Sequence, residues 1–178
     1  MPDIVTHYAF SLLLSSRFVR LRYALVLAFM GVLPDIDVVF RVHRSLTHSL
    51  VLTAVPFLLV LVTLRHAKPG CNTFVLLGMA LYDIHILMDL FIAPTPILWP
   101  LINASMTLNV EIYAILNSQG LELAPKLTLI NTPCDFTQKP LLGGALLSTT
   151  GVITAVTTIS ILSIEWLLSR KRLSNEEL

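Results

Sequence analysis

The sequence predicts an all-α, polytopic membrane helix bundle of about five transmembrane helices, forming one domain over residues 1–178. Its N-terminus is expected outside and its C-terminus in the cytoplasm. Three observations lead there. Only 13% of the 178 residues are charged and 55% are hydrophobic, with a mean hydropathy of +0.79; a soluble domain carries about 25% charged residues. Apolar segments fall at roughly 4–19, 22–40, 46–64, 73–93 and 141–168, where one helical crossing needs about 20 residues. Basic residues cluster on alternate connections, which orients a polytopic chain.

The first segment is short. Asp3 precedes it and Arg17, Arg20 and Arg22 follow it, the reverse of a secretory signal, so a retained helix is expected. The second segment carries Asp35 and Asp37 near its end and is expected to finish inside protein rather than lipid. The third contains Pro56, an expected kink, and Ser45 is its expected N-cap. Arg65 and Lys68 follow it, and Arg170, Lys171 and Arg172 follow the fifth. Together with the first cluster they mark one side as cytoplasmic. Residues 94–140 are expected as a long outer connection with an interfacial helix at 106–117 and Trp99 and Tyr113 at the membrane boundary. The tail Ser174-Asn175-Glu176-Glu177 is expected to be solvated.

A formal net charge of +1 and no basic stripe argue against nucleic-acid binding. Cys71 and Cys134 lack C-x-x-C spacing and are expected as free thiols on opposite membrane faces.

Polar residues inside the apolar segments are the candidates for chemistry. Ionisable groups at membrane depth cost roughly 2.5–3.5 kcal/mol each, so they are functional candidates by default. Counting from the basic boundaries at about 1.5 Å per residue places His7 about 15 Å deep, His85 about 18 Å, Asp35 about 20 Å, Asp89 about 24 Å and His48 about 26 Å. Segments that alternate in direction thus put these groups in one band. His85 and Asp89 are i and i+4 on one helix face and can grip one ion, as the histidines of H-E-x-x-H do. Asp35 and Asp37 flank one residue beside Pro34, so both carboxylates can face one cavity. The candidate metal ligands are therefore His7, Asp35, Asp37, His48, His85 and Asp89. Imidazole with carboxylate suits a divalent ion, Zn or Mn foremost and Fe as a further choice. Arg44, Ser45 and Thr47 stand at an expected helix start, where free N–H groups and a guanidinium suit a phosphate.

Each group also has an ordinary reading. His7 can be interfacial, Asp35 and Asp37 can cap the next element, His85 and Asp89 can be a packing pair, and Arg44 can anchor to headgroups. His43 reads as a membrane-surface residue and His66 as part of a basic loop. Asp83 lies on another helix face from His85, and Glu111 is a weak candidate from the long connection.

Thr6-His7, LPDID at 33–37, HRSLTHSL at 43–50, HILMD at 85–89 and APTPILWP at 93–100 occur in this order. In this set the chain resembles the YdjM-like family of LexA-regulated inner-membrane metal-dependent hydrolases, over residues 6–100. The resemblance implies a multi-helix membrane hydrolase with His7, Asp35, Asp37, His48, His85 and Asp89 as ligands or catalytic groups. Ser45 stands where the family often has Gly, which bears on substrate contacts.

The expected function is a membrane metal-dependent hydrolase acting on a lipid or lipid-linked phosphoester. A metal lowers the pKa of a bound water, and Asp37 is the expected proton acceptor. The rival is a non-enzymatic metal-binding or metal-transport protein, which requires a polar path to both faces. A third reading makes the polar cluster a structural staple of an assembly factor.

Overall fold

The computed structural model describes residues 3–42, 44–118, 120–141 and 146–176; His43 and Glu177 lie outside the described residues. Among the described residues there are five α-helices: α1 (Ile4–Ser15), α2 (Leu21–Leu27), α3 (Leu50–Ala67), α4 (Asn72–Leu90) and α5 (Thr149–Glu176). Between α4 and α5 the chain forms two strands, β1 (Ala104–Asn117) and β2 (Gly120–Pro133).

The strands overturn the all-α expectation, and with it the interfacial helix at 106–117. They pair antiparallel with Ala104 opposite Pro133 and Asn117 opposite Gly120. The physical reason is a period of two. Met106, Leu108, Val110, Ile112, Ala114 and Leu116 alternate with mostly polar residues, which places them on one face of a strand. Gly120 sits at a φ of 128° in the turn, a conformation that favours glycine. Pro125 is tolerated because both strands of a two-stranded sheet are edges.

The five-span expectation does not hold either. Among the described residues, three helices are long and apolar enough to cross a membrane: Leu50–Ala67, Asn72–Leu90 and Thr149–Ser169. The number rises to four if Leu21–Gly31 and Leu33–Phe40, bent by 43° to one another, form one broken span. The break has a cause. The chain leaves α-helix for 3-10 turns at Ala28–Gly31 and Leu33–Phe40, and the second contains Pro34, Asp35 and Asp37, which resist a regular buried helix. α1 has 12 residues, about 18 Å of rise, too short to span alone. The side assignments that relied on five alternating spans fall with the count.

The third segment also starts later than expected. Ser49 is the N-cap of α3, its hydroxyl accepting from the Leu52 N–H at 3.2 Å. Ser45 makes no cap bond; Leu46–His48 is a separate 3-10 turn. Pro56 lies inside α3.

Two close approaches hold the helices together. The Asp3 carboxylate caps α1 by accepting from the Thr6 N–H at 2.7 Å and also accepts from the Ser148 N–H just ahead of α5. Burial pushes its pKa up, but the bonds from Ser148 and Thr6 outweigh that and hold it at about 2. Near the other end of α1, a Cβ on Gly31 would meet Ser11 Oγ at 1.8 Å. Only glycine lets this backbone lie so close to α1. α4 then packs against α1, α3 and the 3-10 segments, with Leu81 and Ile86 fully buried. Most large side chains of α3 and α5 instead point outward, as lipid-facing helices do. Both cysteines are free thiols.

Candidate metal centre

The arrangement begins at α4. His85 and Asp89, one turn apart, are both buried. The bent segment that follows Gly31 brings Asp35 over them, and the 3-10 turn before α3 brings His48. One ligand atom from each of Asp35, His48, His85 and Asp89 lies within 4.8 Å of the other three. The pairs are tighter still. His85 Nε2 lies 3.4 Å from His48 Nε2 and 3.5 Å from Asp35 Oδ1. His48 Nε2 lies 3.7 Å from Asp35 Oδ1 and 3.6 Å from Asp89 Oδ2. Tetrahedral ligands about 2.1 Å from a metal stand about 3.4 Å apart, so this donor set fits a tetrahedral divalent ion.

Both imidazoles are held in the tautomer that metal binding needs. His85 Nδ1 is 2.7 Å from the Gly31 carbonyl. A carbonyl only accepts, so the proton sits on Nδ1 and Nε2 presents a lone pair. His48 Nδ1 faces Asp37 Oδ2 at 3.3 Å, which directs its Nε2 into the cluster in the same way. A carboxylate or carbonyl behind a metal-binding histidine is the usual means of orienting the ring.

Asp37 is therefore one step removed from the four. Its Oδ2 accepts from the Ser45 N–H at 2.8 Å, the Ser45 hydroxyl at 3.1 Å and the Thr47 hydroxyl at 3.0 Å. Ser45 and Thr47, read from sequence as substrate contacts, both turn toward this carboxylate. His7 lies beside the cluster: its Nε2 is 3.6 Å from Asp89 Oδ1, and its ring stands 3.8 Å from that of His85. His7 Nδ1 is buried and has no hydrogen-bond partner among the described residues.

Arg44, also read from sequence as a substrate contact, donates from Nε to Asp89 Oδ2 at 2.6 Å. Its backbone is left-handed, at a φ of 56°, a conformation a non-glycine residue holds only when its surroundings impose it. The guanidinium is 9% exposed, and Nη2 has no hydrogen-bond partner among the described residues. Arg44 pairs with one of the three carboxylates gathered here, Asp35, Asp37 and Asp89. A cation held by Asp35, His48, His85 and Asp89 would further offset the charge of these carboxylates, and buried charge is unfavourable unless compensated.

The segment after α4 is tied to the start of α3, next to His48. Leu50 N–H donates to the Ile97 carbonyl at 3.1 Å, and the Ser49 hydroxyl donates to the Trp99 carbonyl. Thr95 is fully buried and pairs with Met106, which roots the hairpin here.

Asp83 is half-buried on α4 and takes no part in the four-ligand set. Glu111 lies on the hairpin, where its carboxylate accepts from the Tyr113 hydroxyl. His66 lies in the exposed last turn of α3.

Sequence reasoning missed three contributors. Gly31 supplies a backbone carbonyl, which no residue type announces. Tyr82 fixes the Thr47 carbonyl through a 2.7 Å hydrogen bond; its position one turn before His85 was the available signal. Asp3 reads from sequence as a charge ahead of an apolar run, whereas Asp3-x-x-Thr6 is an N-cap pattern.

No curated protein and no solved structure matches the chain. The family model of the YdjM inner membrane proteins matches residues 1–167. With its apolar helices able to span a bilayer, the protein is a multi-pass protein of the inner membrane. The match covers nearly the whole chain, well beyond the motif-bearing stretch 6–100, and the chain belongs to the YdjM inner membrane protein family.

Proposed function

We propose that the protein is a membrane-embedded metal-dependent hydrolase acting on a lipid or lipid-linked phosphoester. The observation that carries this reading is the set Asp35, His48, His85 and Asp89, whose spacing and histidine tautomers suit one divalent ion. A bound Zn or Mn ion would supply Lewis acidity and lower the pKa of a water it binds.

The chain's own residues have distinct parts in this reading. His85 is oriented by Gly31, and His48 by Asp37. In this reading Asp37 is a positioning residue, its Oδ2 held by Ser45 and Thr47 and facing His48. His7 takes the proton-accepting role: Asp89 lies beside its Nε2, and its Nδ1 has no hydrogen-bond partner among the described residues. Arg44 Nη2, a buried donor with no such partner, suits an oxygen of a phosphoester. A cluster enclosed by apolar helices favours an amphiphilic substrate, since a soluble one needs no site at membrane depth.

The transport reading has less support. The large groove along α3 and α4 is lined almost wholly by apolar side chains. An ion would find few ligands there.

The test uses purified protein in nanodiscs, loaded with Zn or Mn and offered phosphatidic acid. Phosphate release is expected in wild type, with a loss of about 100-fold or more in His85→Ala, beyond the 10–100-fold effect of a supporting residue. Metal content measured by mass spectrometry should fall in parallel. Wild-type activity in His85→Ala would sink the reading.

A further inference from the structure

A groove of about 540 Å³ runs between α3 and α4. One end is formed by Thr53 and Tyr82, the other by Leu64 and Cys71. Thr53 and Leu64 are eleven residues apart on α3, about 16 Å of rise. That is about half of the 30 Å hydrocarbon core, or the depth of one leaflet.

The lining rejects polar ligands. Its two hydroxyls are already engaged: Thr53 Oγ1 donates to the Ser49 carbonyl at 2.8 Å and the Tyr82 hydroxyl to the Thr47 carbonyl at 2.7 Å. The rest is chiefly aliphatic and aromatic carbon. Val60 on the rim is 47% exposed, and α3 and α4 are both apolar enough to span a membrane. The mouth is therefore continuous with the lipid-facing surface.

The inner end lies beside the metal cluster, where Tyr82 bonds to the Thr47 carbonyl next to His48. Tyr82 precedes His85 by one turn on the same face of α4. Leu33 lines the groove and also a second cavity of about 260 Å³ that contains Asp35. An occupant lying along the groove would place one end beside Leu33 and its neighbour cavity, at the only cluster ligand that is not fully buried among the four, Asp35.

We propose that this groove takes one acyl chain of a membrane lipid and so presents the lipid's polar end to the cluster. The proposal rests on the hydrolase reading for what happens to that polar end, but not for the occupancy of the groove. Its length matches a chain in one leaflet, its wall matches methylene groups, and its mouth opens where such chains are the solvent.

The experiment places the full chain in phosphatidylcholine nanodiscs with a small fraction of phosphatidic acid bearing a diazirine at the end of one acyl chain. After irradiation, label is expected on Leu64, Cys71 and Phe74. Val75→Trp, which fills the groove, should lower that labelling by about tenfold, the effect of leaving about two methylene groups outside. Gly78→Leu is the second variant. A Cβ there meets Met30 Cγ at 3.5 Å, an ordinary contact, so the fold has room for the first carbon. Unchanged metal content certifies either variant as folded. Label spread evenly over the outward faces of α2, α3 and α5, or unchanged labelling in both folded variants, would overturn the proposal. His85→Ala separates the two claims. It should abolish hydrolysis if the catalytic reading holds and leave groove labelling intact. Groove labelling in wild-type, metal-loaded protein that shows no hydrolysis would defeat the catalytic reading alone.

Discussion

His7, Asp35, His48, His85 and Asp89 come from four separate stretches of the chain, yet their side chains are between 0% and 15% exposed. From Asn109 to Pro133 the hairpin has no buried residue among those described, although it carries a continuous apolar face. The cluster is assembled by contacts between residues far apart in sequence. The hairpin is assembled by its own ladder and is tied to the rest at its base, through Thr95 and Met106. The contrast teaches where perturbation should travel. A change of one atom near the cluster meets packed neighbours on every side, whereas a change on the hairpin meets mainly its cross-strand partner.

The largest effect is expected at Gly31→Ala. The new Cβ would fall 1.8 Å from Ser11 Oγ and 2.8 Å from Ser11 Cβ. Ser11 Oγ can rotate away but Ser11 Cβ cannot, so the backbone seam must open, and the Gly31 carbonyl that orients His85 is expected to shift with it. Overpacking of this kind costs about 1–3 kcal/mol, and the metal should be lost with it. The double variant Gly31→Ala with Ser11→Gly removes both close atoms and should recover much of the thermal stability and metal content. If Gly31→Ala alone melts and binds metal like wild type, the tight seam between α1 and the bent segment is not what holds His85.

A smaller effect is expected at Asp37→Asn. The amide oxygen can still accept from Ser45 and Thr47, so the turn should persist. Its charge is gone, however, and His48 loses the carboxylate behind its ring. Supporting groups of this type are worth about 10–100-fold in metal affinity. Competition with a fluorescent zinc chelator measures this directly. A change in hydrolysis at saturating metal, with no change in metal affinity, would instead return Asp37 to the proton-accepting role.

The two regions were unequally legible before the structure. Depth counting brought His7, Asp35, His48, His85 and Asp89 to one band because polar groups in apolar segments are few and unfavourable, so each one carries information. It could not tell Asp37 from Asp35. Both lie in one short motif, and only the path of the 3-10 turn decides that one carboxylate enters the cluster while the other stands behind His48. The hairpin was missed for a different reason. Its leucines, isoleucines and valines satisfy a helix reading by composition, and the even-numbered alternation from Met106 to Leu116 was the feature that distinguished a strand. The span count failed where local chemistry interrupts hydropathy: α1 is apolar but short, and the second segment breaks at Pro34.

The smallest effect is expected on the apolar face of the hairpin. Val110 and Leu127 are directly opposite one another, and they are 52% and 70% exposed. Replacing both by Ser removes one cross-strand apolar pair, worth roughly 0.2–1 kcal/mol, while leaving every ladder hydrogen bond available. Hydrogen exchange of amides between Leu108 and Leu129 should quicken modestly. Zinc affinity should not change, because the link at Thr95 and Met106 lies between this pair and the cluster. A fall in zinc affinity as large as that of Asp37→Asn would mean that the hairpin braces the site through the segment after α4. The cluster and the hairpin would then be one cooperative unit, and the contrast between them would be a matter of burial alone.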